Sequence, residues 1–153
     1  MIGHGACFCA DEAETRALGA RLGAALARDT VVYLVGDLGA GKTTLARAMI
    51  QARAPGARVK SPTYTLIESY PLGDFVLHHL DLYRIVDPGE LEFLGLPDLL
   101  EGGGALLVEW PDRGCGALPR PDLVIRLAHH EPGRLVEIDA LTPRGEALAG
   151  ACA

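Results

Sequence analysis

The sequence predicts an α/β fold, a three-layer sandwich around a mostly parallel sheet of about seven strands with an antiparallel portion. Three observations carry this. Short apolar segments alternate with segments of helical period along the chain. Two of the apolar segments, Thr30–Val35 (TVVYLV) and Ala105–Glu109 (ALLVE), are continuous hydrophobic runs. That is how parallel strands buried on both faces read. The first run leads through a glycine-rich segment into a helical one. At 153 residues, with no repeat, low-complexity tract or linker, residues 1–153 read as one domain.

The elements follow in order. Gly5–Cys9 is a short apolar strand. Asp11 and Glu14 form a capping-box-like pair that opens a helix over about 11–28. Leu18, Leu22, Ala25 and Leu26 recur at its helical spacing. Lys42–Arg53 is a second helix, with Leu45, Met49 and Ala52 on one face and Pro55-Gly56 as its stop. Val59–Tyr70 is extended in character, Pro71–Asp74 is a turn, and Phe75–Tyr83 is a strand, so the two strands pair as a hairpin. Asp87-Pro88-Gly89-Glu90 starts a short helix, with a cap, a proline at the first position and an acid at the third. Leu96–Leu100 adds a turn and Gly102–Gly104 breaks the chain. Leu123–Ala128 and Arg134–Ala140 form a last hairpin, and Thr142-Pro143 caps a final helix.

Composition narrows the function. The chain is 49% hydrophobic but only 5% aromatic, so aliphatic side chains fill the core. No apolar run approaches the roughly 18 residues that span a bilayer. The first residues, MIGHGACFCADEAE, lack a basic region. A cytoplasmic protein with no membrane partner is expected. The net charge of −6 argues against stand-alone binding to nucleic acid, which depends on pairing phosphates with Lys and Arg. Cys7, Cys9, Cys115 and Cys152 match no zinc spacing and read as reduced thiols.

Gly36-Asp37-Leu38-Gly39-Ala40-Gly41-Lys42-Thr43 matches G-x-x-x-x-G-K-[ST], the P-loop pattern, and it falls between a buried strand and a helix, as the motif demands. The glycines let the backbone curl so that successive N–H groups form an anion cradle. The helix that follows points its partly positive end at the phosphates. Lys42 supplies a compact cation, and Thr43 a hydroxyl for Mg²⁺. The ion also needs a carboxylate from a neighbouring strand. Asp81 in HHLDLY and Glu109 in LLVEW both qualify, and one of them would hold the metal while the other orients water. Guanine readers use an N-K-x-D loop, and this chain contains no Asn. ATP with Mg²⁺ is therefore the expected ligand.

The chain has only two lysines, Lys42 and Lys60, against twelve arginines. Lys60-Ser61-Pro62-Thr63-Tyr64-Thr65 reads either as a loop that senses the γ-phosphate or as an ordinary turn into a strand. His78 and His79 are neighbours in a strand, face opposite ways and are not a metal pair.

GDLGAGKTT, KSPTYTL, HHLDLYR, DPGELEFLGL and VEWPDR, in this order and spacing, closely resemble the bacterial TsaE (formerly YjeE) family. The resemblance runs from about Asp11 to Gly133-Arg134. It implies a P-loop NTPase fold and a small ATPase needed to make threonylcarbamoyladenosine at position 37 of tRNA. Asp37, Leu38, Gly39, Ala40, Gly41, Lys42, Thr43 and Thr44 would then hold ATP. Thr43 and Glu109 would bind Mg²⁺, and Asp81 would position water. Catalysis would rest on Asp81, Glu109 and Lys42. Ser61–Tyr64 would form the switch-like loop and Trp110 would lie near the nucleotide. Thr15 and Arg134 would lie near the adenine or ribose. The implied partners are the TsaD and TsaB proteins as a complex, whose substrate is tRNA; no tRNA contact is assigned to this chain.

A slow ATPase is expected, because the only Gln, Gln51, lies on the P-loop helix. An arginine finger would come from Arg84, Arg113 or a partner. A small-molecule kinase and a non-hydrolysing binding module are the alternative readings.

Overall fold

The computed structural model describes residues 2–152. Its strands are β1 (Gly3–Cys9), β2 (Val31–Val35), β3 (Ile67–Pro71), β4 (Val76–Asp81), β5 (Ala105–Glu109), β6 (Leu123–His130) and β7 (Gly133–Ala140). The α-helices are α1 (Glu12–Ala25), α2 (Lys42–Arg53), α3 (Leu96–Glu101) and α4 (Pro143–Ala149). Three short 3₁₀ segments cover Pro88–Leu94, Pro111–Gly114 and Gly150–Cys152.

The strands form one sheet in the order β1-β7-β6-β2-β5-β4-β3. The central four, β6, β2, β5 and β4, are parallel neighbours. β3 and β7 run against them, and β1 pairs antiparallel with β7. Five strands therefore point one way and two the other, which is the mostly parallel sheet with an antiparallel portion that the sequence predicts.

Both faces of the sheet are covered. Val32 and Leu34 of β2 and Leu107 of β5 pack with Leu18 and Leu22 of α1 and Leu45 and Met49 of α2. Val31 of β2 and Leu106 and Val108 of β5 pack on the opposite face with Leu91 and Leu96. Successive strand residues point to opposite faces, so a strand with two buried faces has no polar position to spare. This is why both runs are continuously apolar.

Local differences from the sequence expectation have simple causes. Only Ile67–Pro71 of the extended segment joins the sheet; residues 62–65 are turns, closed by Leu66 N–H donating to Pro62 O at 2.7 Å. Pro62 has no N–H for a ladder. The nearby hydroxyls bond locally, Ser61 with Thr63 at 2.8 Å and Thr65 with Glu68 at 3.1 Å, which competes with strand pairing. The buried stripe of α2 is Lys42, Leu45, Ala46, Met49 and Ile50. Ala52 falls off that stripe and is exposed. The helix after Asp87 has the expected capping box but winds as a 3₁₀ segment. The four cysteines are free thiols. Among the described residues, no helix is long and apolar enough to cross a membrane.

Candidate functional site

Three neighbouring strands end in one row. Leu34 of β2 pairs with Glu109 of β5, and Glu109 pairs with Asp81 of β4. The crevice beyond the carboxyl ends of parallel strands is where α/β sheets take ligands. Alternation sets the faces. Glu109 lies in phase with Leu107, and Asp81 and His79 in phase with Leu77, all on the face packed by α2.

The glycine-rich loop joins β2 to α2 across this crevice. Gly41 has φ 105°, a conformation denied to side chains carrying Cβ, and Gly39 has φ 78°. Gly36 has a different reason: a Cβ there would lie 2.5 Å from the Leu127 carbonyl oxygen. Gly41 occupies the N-cap position before α2 and offers no side-chain cap. The first N–H groups of α2 are therefore left without an intrahelical partner at the cleft end of the helix.

Lys42 is 5% exposed. Its Nζ donates to the Gly36 carbonyl and lies 3.6 Å from the Trp110 ring centroid. Burial pulls its pKa below the ordinary lysine value, while Glu109, Asp81, Asp37 and Asp112 oppose that shift.

The two carboxylates are buried. Glu109 Oε1 accepts from the Thr43 hydroxyl at 3.4 Å, and Oε2 bonds His79 Nε2 at 2.7 Å. An ionised carboxylate only accepts, so His79 donates from Nε2. His79 is fully buried and its Nδ1 has no partner among the described residues. Asp81 Oδ2 accepts from the Thr63 hydroxyl at 3.1 Å and Oδ1 from the Tyr83 N–H at 3.0 Å.

A cleft of about 350 Å³ brings together Leu38, Gly39, Gly41, Lys42, Thr43, Thr44, Asp81 and Glu109 with Ser61, Thr63, Arg84 and Trp110. A pocket of about 300 Å³ adjoins it, sharing Gly39, Gly41 and Thr44, and is lined by Thr15, Ala40 and Arg134. Arg134 spends its donors on carbonyls: Nε on Ala40 at 3.1 Å, Nη2 on Gly39 at 3.2 Å and Nη1 on Gly133 at 2.9 Å. It braces the loop from behind. Asp37 lines neither space; its side chain is exposed and its carbonyl accepts from Ala40 N–H at 3.1 Å.

Sequence reasoning missed His79 as a partner of Glu109. The signal was present in the His79-x-Asp81 spacing, which puts both side chains on one face. The bracing role of Arg134 left no such trace, because it depends on how β7 approaches the loop.

The profile of the family described as "Threonylcarbamoyl adenosine biosynthesis protein TsaE" matches residues 9–136. The chain is 44% identical over 121 residues to the tRNA threonylcarbamoyladenosine biosynthesis protein TsaE of Haemophilus influenzae, covering 79% of this chain and 77% of that one. It is 45% identical over 113 residues to the TsaE protein of Bacillus subtilis, covering 73% and 70%. The crystal structure of Bacillus subtilis YdiB superposes with a TM-score of 0.80 at 27% identity, over 99% of this chain and 95% of that one. The chain belongs to the TsaE family, which acts in tRNA threonylcarbamoyladenosine biosynthesis.

Proposed function

We propose that this chain binds ATP with Mg²⁺ and hydrolyses it slowly, and that this cycle serves the TsaB–TsaD complex in threonylcarbamoyladenosine modification of tRNA. The observation that carries the reading is the convergence in one cleft of Lys42, Thr43, Asp81 and Glu109 at the end of α2. Lys42 and the first N–H groups of α2 would hold phosphate, and the loop from Asp37 to Thr44 would wrap it. Thr15 and the pocket beside Arg134 would take the adenosine end.

The donor set fits magnesium. Thr43 and Glu109 offer hard oxygens 3.4 Å apart. Among the described residues no group of three or more His, Cys, Asp or Glu forms a complete metal cage. That suits an ion held by one or two protein oxygens plus substrate phosphates. When bound, Mg²⁺ would neutralise phosphate charge. The protein's own part is to fix the Glu109 carboxylate through His79, place phosphate on α2, and hold Asp81 where it accepts a proton from water.

The sensing loop would act through Thr63. Its hydroxyl now serves Asp81, and a γ-phosphate would compete for it. A partner reading the loop would then read the nucleotide.

The test is Lys42→Ala in a pull-down with TsaB and TsaD, with and without ATP and Mg²⁺, followed by a tRNA modification assay. Truncating one member of a buried charge contact costs about 2–5 kcal/mol, so ATP binding should weaken by about 30-fold to 4,000-fold. Modification should fall with it. Unchanged modification with Lys42→Ala would sink the reading.

A further inference from the structure

We propose that Arg84 is the arginine that contacts the γ-phosphate during hydrolysis, and that the Tyr64 ring restrains it until phosphate competes for it. This rests on the ATPase reading above and adds a catalytic residue to it.

The cleft's charge makes the case first. Its lining carries two carboxylates, Asp81 and Glu109, against Lys42 and Arg84. Without Arg84 the side-chain charge facing a triphosphate would be net negative. Position makes it second. Arg84 follows Asp81 by three residues, so the tether from the strand end is short. The other nearby arginines are committed elsewhere. Arg113 donates from Nη1 to the Tyr83 carbonyl at 2.8 Å, and Arg134 braces Gly39 and Ala40. Among the described residues Arg84 takes part in no ion pair.

What Arg84 does have is a ring. Its guanidinium lies 4.4 Å from the Tyr64 centroid. Tyr64 is 81% exposed, an unusual place for a large ring. A cation–π contact at such a site is weak and readily exchanged. A guanidinium fork matches phosphate oxygens far better. Tyr64 also adjoins Thr63, whose hydroxyl bonds Asp81 at 3.1 Å. The loop is thus tied twice to the end of β4, once at the carboxylate and once at the arginine. A shift of Thr63 toward phosphate would loosen both ties together.

In the reaction, the water oxygen forms a bond to the γ-phosphorus as the bond to the β–γ bridging oxygen breaks. ADP leaves with that electron pair, and the water proton passes to Asp81 and then to solvent or phosphate. Arg84 forms no covalent bond. It donates hydrogen bonds to γ-phosphoryl oxygens as charge gathers on them, a contact stronger in the transition state than before it.

The test uses the full chain and the fluorescence of its single tryptophan, Trp110, whose ring lies beside Lys42. Binding of ADP·Mg²⁺ is measured with and without aluminium fluoride, alongside single-turnover ATP hydrolysis. Arg84→Ala should bind ADP·Mg²⁺ within about twofold of the wild type, since that state lacks the γ-phosphate. It should lose the aluminium fluoride enhancement and slow hydrolysis by about 10³-fold or more, as loss of such an arginine does. Arg84→Lys should recover only part of this. Tyr64→Ala should raise the basal rate several-fold, roughly as loss of a weak restraint would, whereas Tyr64→Phe keeps the ring and the wild-type rate. Hydrolysis by Arg84→Ala at the wild-type rate overturns the assignment, as does an equal loss of ADP and ADP–aluminium fluoride binding. An unchanged rate in Tyr64→Ala overturns the restraint. A wild-type protein that binds no ATP overturns the underlying ATPase reading instead.

Discussion

The ends of β5 and β4 carry carboxylates that pair in register, yet the two are held in opposite ways. Glu109 is fixed from inside the fold. His79, fully buried on the neighbouring strand, holds one of its oxygens at 2.7 Å and leaves the other facing Thr43. Asp81 is held from outside, by the Thr63 hydroxyl of a surface loop and by the backbone of Tyr83. A carboxylate anchored by a core residue keeps one orientation whatever the loops do. A carboxylate anchored by a loop has an orientation that depends on the loop. The first arrangement suits a permanent metal ligand, and the second suits a group that acts only when the loop has moved.

The largest effect that sharpens this contrast is on turnover at Asp81. Asp81→Asn removes a proton acceptor, a change worth about 10²–10⁴-fold in rate. Its ATP affinity should stay close to the wild type, and single-turnover hydrolysis beside equilibrium nucleotide binding checks both. Next comes His79. Loss of a residue that orients a metal-binding group typically costs about 10–100-fold in metal affinity. His79→Ala should therefore weaken Mg²⁺ binding to the ATP-loaded protein in that range, and His79→Gln, which can still donate, should recover part of it. A Mg²⁺ titration followed by Trp110 fluorescence reads this. No change in His79→Ala would mean that the core does not anchor Glu109.

Thr63→Val should have a smaller effect. It removes the hydroxyl's bonds to Ser61 and Asp81; the one that bears on turnover, to Asp81, is worth about 1 kcal/mol, so basal turnover should change by about fivefold. The response of hydrolysis to added partners should diminish more than the basal rate does. The smallest effect separates the adjacent histidines. His78 faces the other side of the sheet from His79, bonding Ser69 at 2.7 Å, and burial holds its pKa below the ordinary value of 6.5. The folded protein thus binds fewer protons at His78 than the unfolded chain does. The contribution to stability is present above the unfolded value near 6.5, and it is lost as pH falls from there through the lowered folded value. His78→Asn should flatten the acid side of a denaturant-midpoint profile against pH.

Much of this was legible in the sequence, for identifiable reasons. β2, α2 and β5 were readable because each obeys one strong rule. β2 and β5 are apolar throughout since both faces are buried, and α2 follows a glycine-rich loop whose spacing admits few other structures. Asp81 and Glu109 were legible as a pair because each ends an apolar run. Their division of labour was not legible from the residues, since it depends on what stands behind them. The His79-x-Asp81 spacing puts His79 on the face of the carboxylates, but its contact with Glu109 depends on the β4–β5 register, which no local pattern encodes. The segment around Pro62 and Thr63 reads two ways in the sequence, as extended chain and as a loop, and the structure shows the loop. Its threonines and tyrosine favour strands, but the proline and the local hydroxyl bonds turn it into a loop, and a loop is what a switch needs.

The contrast between the strand ends is tested most directly by one Mg²⁺ titration of ATP-loaded protein, comparing Glu109→Gln with Asp81→Asn by Trp110 fluorescence. Glu109→Gln should lose at least as much Mg²⁺ affinity as the roughly 100-fold upper end for an orienting partner, while Asp81→Asn binds the ion nearly as the wild type does. Equal losses in the two variants, or a larger loss at Asp81, would contradict the assignment of the metal to the anchored carboxylate.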